Sequence, residues 1–427
     1  MKINNLKNLF KNNFVKNIFF VSSGTAIAQI IGTITYPIIT RYYTPDEFGV
    51  FVTYSSIIAI LSIISSLKYE FAIPIAESEE KAVNIVFLCV GILIIYSSII
   101  FLALLLYSNE IFSLLGNEHL NQYWYLIPIG VSFIGIYSLF MYWSFRKKEY
   151  LAISKTTISQ SFFGNISKIG FGFLNMGAFG LIFGDILGKS AGITVLSKSF
   201  INNKCFSKAN LSEIIEQSKR YIKFPIYSAP SKLLNTLGVQ LPVIFITLLY
   251  GSSVAGFFGL SHTIVSIPMS LIGTSVGNVF YGEAASIGRK NPKKIKELSN
   301  NLLKKLIAIG IIPLITLILF GPILFKFVFG SNWYQAGIYA QIIAFLVFFR
   351  FMFTPITNIF SVFERQKEEL YLDSFRLVLV LIAFGISKYV NLDSFWAIGL
   401  YSLAMCIVYF VTYIYAQKIL NDEIKKI

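Results

Sequence analysis

VFLCVGILIIYSSIIFLALLL, residues 86–106, carries no charge in 21 positions. At about 1.5 Å per residue, a helix of this length crosses the ~30 Å hydrocarbon core of a bilayer. A transmembrane strand would be about half as long and would alternate apolar with polar side chains. This run does not alternate. In lipid the backbone must satisfy its own hydrogen bonds, and a helix does so within one segment. The stretch therefore predicts a membrane-spanning helix. Eleven further blocks of the same character carry the reading along the chain. The predicted spans are 18–39, 48–67, 83–106, 122–144, 155–174 and 178–198, then 225–249, 254–281, 306–325, 337–361, 372–390 and 395–416. The predicted fold class is all-α integral membrane, with about 12 transmembrane helices and no room for a folded soluble domain.

Composition agrees. Of 427 residues, 55% are apolar and 13% are charged, about half the charge of a soluble domain. Lys and Arg number 36 against 21 Asp and Glu, a net of +15. In a soluble chain that excess would point to nucleic acid. Here the basic residues sit in short loops between apolar blocks, so the membrane accounts for them and no nucleic-acid partner is expected. Cys89, Cys205 and Cys406 are odd in number and two fall inside apolar blocks, so no disulfide framework is read. His119 and His262 stand far apart without other ligand types beside them, so no metal or cofactor is expected. The basic segment Met1 to Asn17 precedes an apolar stretch. That stretch is too long for a signal-peptide core and lacks a small-residue cleavage site, so it reads as the first span.

The positive-inside rule orients the chain. With the N-terminus inside, 29 of the 36 basic residues fall in inside loops and tails, 3 (Arg41, Lys326, Lys388) fall outside, and 4 lie within spans. Both termini are therefore expected in the cytoplasm, which requires an even number of spans. The two longest charged loops are 199–224 and 282–305. The second reads equally as a basic surface helix at the anionic inner leaflet or as a plain topogenic loop. Two internal echoes stand in matching places. Phe48-Gly49-Val50-Phe51 resembles Ala255-Gly256-Phe257-Phe258, and Arg146-Lys147-Lys148-Glu149 resembles Arg365-Gln366-Lys367-Glu368. They support two six-helix lobes in the same orientation: an N-terminal lobe 1–200, a cytoplasmic linker 201–224 and a C-terminal lobe 225–427.

No catalytic constellation is present: no nucleophile elbow, phosphate-binding loop, HExxH or Cys-x-x-Cys. The chain is not expected to be an enzyme. What remains is charge inside the membrane, which is costly and tends to face a bundle interior or a wet cavity. Lys168, Lys189, Lys232 and Arg350 are the intramembrane cations and Asp185 the mid-span acid. Asp185 and Lys189 share a helix face, which also fits a self-neutralising pair. Lys168 and Lys232 also fit snorkelling toward an interface. If the four cations line a common cavity, it favours an anionic head group. Glu70 and Glu283, at the inner boundary, are candidate gate partners or surface residues. Pro37, Pro225, Pro230, Pro242, Pro268 and Pro355 fall in or at the ends of spans and permit bends.

The stretch 22–82 resembles the start of bacterial polysaccharide flippases, the O-antigen and capsule repeat-unit translocases of the multidrug/oligosaccharidyl-lipid/polysaccharide exporter superfamily. The residues that carry the resemblance are Gly24, Gln29, Pro37, Thr40-Arg41-Tyr42-Tyr43-Thr44-Pro45, Phe48-Gly49 and Lys68-Tyr69-Glu70 followed by Ala72-Ile73. The resemblance implies a twelve-helix, two-lobed fold like that of multidrug-and-toxin extruders. It implies a lipid-linked oligosaccharide on an undecaprenyl pyrophosphate carrier as substrate, moved from the inner to the outer leaflet of the bacterial cytoplasmic membrane. Antiport against an ion gradient and other polysaccharide assembly proteins as partners come with it. Under that reading Lys168, Lys189, Lys232 and Arg350 bind the substrate, and Asp185, Glu70 and Glu283 serve ion coupling or gating. A drug exporter of the same superfamily is the alternative and would need acids in its cavity. A lipid-II flippase would carry additional spans, and a membrane polymerase a large outside loop with arginines.

Overall fold

A computed structural model describes residues 13–202, 209–289 and 291–426. The basic residues 1–12 and Cys205 lie outside them. The described residues are helical and contain no strand. The chain divides into two compact units, Met1–Thr236 and Leu237–Ile427.

The first unit opens with α1 (Asn13–Tyr42) and α2 (Pro45–Ile63), joined by a two-residue turn. The turn is written locally: Thr44 caps the Glu47 amide, the Glu47 carboxylate caps back onto Thr44, and Pro45 starts the helix where no amide partner is needed. A 3-10 segment, Tyr69–Ile75, leads to α3 (Glu79–Leu114), which Ser78 caps. Then come α4 (Leu126–Lys147), α5 (Tyr150–Phe173), α6 (Gly177–Ser190) and α7 (Ile193–Ile201). The core of this unit packs Trp143 and Phe200 edge to face, with Tyr69, Ile73 and Cys89 buried around them. The loop after α3 is shorter than predicted, because α3 runs on to Leu114 past a kink at Tyr107.

The segment expected as a linker contains α8 (Leu211–Arg220), which packs on the first unit. The Tyr69 hydroxyl donates to the Ser218 carbonyl at 2.9 Å, the Asn210 amide donates to Asn84 at 2.9 Å, and Arg220 pairs with Glu77. Lys81 also pairs with Glu77 at 2.9 Å, and the two cations hold the Glu77 carboxyl below the usual carboxylate range.

The first unit ends within α9 (Ala229–Ile287), and from Leu237 onward the chain builds the second: the rest of α9, then α10 (Pro292–Phe329), α11 (Tyr334–Phe353), α12 (Asn358–Val362), α13 (Gln366–Tyr389) and α14 (Ser394–Lys425). The apolar segment Phe224–Ile287 is 64 residues, about 96 Å as a helix and three times the bilayer core. It is broken at Gly251, whose φ of 82° and ψ of 172° only glycine adopts freely. Each predicted span overlaps a helix, yet nine segments among the described residues are long and apolar enough to cross a membrane. The difference has two sources. The 64-residue segment covers two predicted spans, and α1 and α5 are not among the nine, α5 because it is too polar. Those two pack on each other, with Ser161 donating to the Ala28 carbonyl at 2.7 Å.

The second basic loop is not a separate surface helix. Residues 292–305 are the first turns of α10, capped by Asn291 and continuous with the apolar part. The corners near the second sequence echo turn alike, three positions out of register with the echo itself. Lys148 and Glu364 both turn the chain with φ of 57°, just before α5 and α13. An ion pair ties each of these corners, with its polarity reversed: Lys147 to Glu79 in one, Glu364 to Arg289 in the other.

Candidate functional site

Each unit contains its own intramembrane charge. In the first unit α5 and α6 approach at Gly164, Gly184 and Gly188. A Cβ added at Gly188 would stand 2.7 Å from the Gly164 Cα, so no other residue fits without moving a backbone. That approach carries Lys168 of α5 over α6. Lys168 Nζ lies 3.0 Å from one Asp185 oxygen and Lys189 Nζ lies 2.5 Å from the other. The Phe51 ring faces Lys168 at 4.5 Å, and Tyr43 fixes its backbone through a 2.6 Å bond to its carbonyl. The cluster is thus two cations on one anion, net positive. Its side chains retain only 13%, 18% and 29% exposure for Lys168, Asp185 and Lys189. The sequence offered Asp185–Lys189 as a pair; the structure makes it a triad.

In the second unit Arg350 lines a cavity of about 260 Å³. Its walls are the later part of α9 and the end of α11, where α11 stops before the 3-10 segment Thr354–Thr357. Pro355 has no amide to continue the helical ladder, so the helix must end there. Arg350 stands in the last turn of α11 and its positive charge also suits that helix end. Among the described residues it forms no ion pair, and it is the only charged residue in the cavity wall. From α9 come Ser266, Ser270, Thr274 and Asn278, and from the break come Thr354 and Asn358. Asn358 donates to the Gly277 carbonyl at 3.0 Å and so ties the two walls.

The remaining candidates lie elsewhere. Lys232 is exposed near the start of α9. Glu70 is buried, paired with Lys68 at 3.1 Å and bonded by the Ser66 hydroxyl. It closes the corner after α2 rather than facing water. Glu283 is exposed on α9. His262 stacks on Phe258 with ring centroids 5.8 Å apart, and no metal-holding cluster occurs among the described residues. Two features went unread in the sequence. Arg376, counted with an inside loop, lies in the third turn of α13 with only 15% of its side chain exposed, paired to Asp373 at 2.9 Å and facing the Tyr409 ring. The three-residue spacing of Asp373 and Arg376 at the head of an apolar run was its signal. The hydroxyl and amide residues of α9 recur every four positions, which marks one helix face.

Comparison with known proteins agrees with this architecture. The family described as polysaccharide biosynthesis protein matches residues 38–338, more than half of the chain. The teichuronic acid biosynthesis protein TuaB of Bacillus subtilis (strain 168) is 26% identical over 171 residues, 40% of this chain and 34% of that protein. The chain therefore matches about a third of the length of that relative. Among solved structures, the lipid II flippase MurJ in an inward closed conformation superposes with a TM-score of 0.77 at 14% identity, covering 94% of this chain and 87% of that one. A multidrug resistance MATE family transporter of the MOP superfamily, inward-facing, gives 0.73 at 14% identity over 93% and 96%. These structural likenesses show the fold, a bundle of helices shared with those transporters, and the apolar helices are those of a multi-pass protein of the bacterial inner membrane. By the family match over most of its length, the chain belongs to the polysaccharide biosynthesis protein family.

Proposed function

We propose that the protein moves an oligosaccharide, linked to undecaprenyl pyrophosphate, from the inner to the outer leaflet of the cytoplasmic membrane by alternating access coupled to an ion gradient. The observation that carries this reading is Arg350, a guanidinium on a membrane helix that no acid among the described residues neutralises and that opens on a polar-walled cavity. A charge so placed is expensive unless it has a use, and a guanidinium matches phosphate oxygens with two parallel hydrogen bonds. The twelve-span, two-lobe layout with both termini in the cytoplasm and lobes 1–200 and 225–427 belongs to the same proposal.

In this reading Arg350 holds diphosphate in the second unit, and Lys189 and Lys168 are the anion contacts of the first. Asp185 occupies both lysines until a substrate anion competes for them. Lys232, exposed, adds attraction at the end of its helix. Glu70 and Glu283 are assigned to gating, Glu70 through the buried corner after α2. The commitment of Asp185 to two lysines leaves no acid free in that cluster to attract a cationic drug.

The test is leaflet-resolved transport in proteoliposomes containing this protein alone and undecaprenyl-pyrophosphate oligosaccharide on one side. Protein-dependent movement that Arg350→Ala abolishes, at equal protein incorporation, supports the reading. Undiminished transport by a well-incorporated Arg350→Ala variant defeats the role of Arg350, and imposed proton or sodium gradients identify the coupling.

A further inference from the structure

The Arg350 cavity holds more than a charge. Ser266, Ser270, Thr274 and Asn278 follow one another at four-residue intervals on α9 and all line it. At about 1.5 Å per residue they form a polar track about 18 Å long. Thr274 and Asn278 are exposed on a membrane helix and make no side-chain hydrogen bond among the described residues. The Ser266 hydroxyl is enclosed and also has no partner. Polar groups so placed are tolerated only against water or a polar ligand.

The floor of the track is glycine. A Cβ at Gly273 would meet nothing nearer than the Phe351 ring at 3.8 Å, and one at Gly277 nothing nearer than Asn358 at 3.4 Å. Gly273 therefore leaves room toward the cavity, whereas Gly277 packs against Asn358 and the Pro355 backbone, 3.5 Å away. Phe351, Met269 and Val347 supply an apolar wall. The set is one guanidinium, several uncharged donors and acceptors, and an apolar face. A pyranose ring beside an oxyanion has the complementary chemistry: equatorial hydroxyls, an apolar C–H face and one negative group.

Resting on the flippase reading, we propose that this cavity is the sugar-reading subsite, in which Thr274, Asn278 and Ser266 bind ring hydroxyl or amide groups while Arg350 binds the oxyanion next to that ring. The oxyanion is either the carrier phosphate or the carboxylate of an acidic sugar; both present the same pair of oxygens.

Equilibrium binding to the full-length protein in nanodiscs tests this with three probes: undecaprenyl pyrophosphate without sugar, the same lipid bearing N-acetylglucosamine, and the same lipid bearing a disaccharide that ends in glucuronic acid. The protein should bind both sugar-bearing lipids about tenfold more tightly than the bare lipid, the worth of one or two net hydrogen bonds. The double variant Thr274→Val, Asn278→Ala should lose that preference and keep its affinity for the bare lipid, which also reports that it is folded. Gly273→Leu fills the cavity from an open position and should lose the same preference independently. Arg350→Gln should weaken all three probes if the oxyanion is phosphate, or the glucuronic acid probe alone if it is carboxylate. Equal binding of the three lipids by the unaltered protein, or an intact preference in both the double variant and Gly273→Leu, would overturn the proposal and leave the flippase reading standing. Failure of every lipid to bind would remove both.

Discussion

Replacing Asp185 with asparagine removes the only anion between Lys168 and Lys189 at nearly constant shape. The separations of 3.0 and 2.5 Å correspond to about 5–7 kcal/mol of attraction per pair at an effective dielectric of about 20. Desolvation of three charges cancels most of that. What the substitution leaves is two ammonium groups with no anion, a condition that costs about 3–5 kcal/mol when fully buried. Lys189 keeps 29% of its side chain exposed and rehydrates in part, so the lower end, about 3 kcal/mol, is expected. In a unit of more than 200 residues that is about 6 °C in melting temperature. The assay is thermal unfolding of the purified protein in lipid nanodiscs, read by a reporter in the first unit. Adding Lys168→Met should recover at least half of the loss, since it withdraws a stranded charge. A melting temperature unchanged in Asp185→Asn, or a double variant less stable than either single one, would refute the triad as the organising contact of α5 and α6.

Three further outcomes follow from the geometry. Gly188→Leu should destabilise the first unit by several kcal/mol, because its Cβ would stand 2.7 Å from the Gly164 backbone; a variant that expresses and melts like the parent would contradict the close approach. Trp143→Ala, at a fully buried site packed on Phe200, should cost about 3–5 kcal/mol, measurable as loss of folded protein after mild heating in detergent. The docking of α8 should weaken in acid. Glu77 is held below its ordinary value of 4.5 by Lys81 and Arg220, so its contribution is complete above that value and is lost as pH falls through the lower, folded one. The protection factor over 211–220, taken relative to the intrinsic exchange rate at each pH, should therefore fall below about pH 4.5 and stay flat from pH 6 to 8; a loss of protection centred near neutrality would point to another group.

The helical class was legible because 86–106 is long, uncharged and does not alternate, and only a helix answers all three in lipid. The corner at Thr44-Pro45-Asp46-Glu47 went unread, with the span begun at 48, although its capping chemistry is local. The triad was half legible. Asp185 and Lys189 are neighbours on one helix, whereas Lys168 is 17 positions away and reaches them only because glycines let two helices touch. Arg376 was misplaced because charge near a span boundary was counted as loop, and nothing local says that α13 begins ten residues earlier. The α9 track escaped notice because hydroxyls and amides carry no charge, and intramembrane chemistry was sought among charged residues. The position of α8 rests on Tyr69, Glu77 and Asn84, more than 120 residues upstream, a pairing that no local pattern encodes.

The length of α10 bears on how the chain is made. Its 38 residues extend about 57 Å, nearly twice the hydrocarbon core, and the excess at its N-terminal end carries Lys293, Lys294, Lys296, Lys304 and Lys305. Inverting this helix after insertion would draw five ammonium groups through the bilayer, each costing about 2.5–3.5 kcal/mol at the midplane. The direction in which α10 enters is therefore permanent on the timescale of synthesis. Once α10 is inserted, the helices that follow it must thread in the sense that it has set.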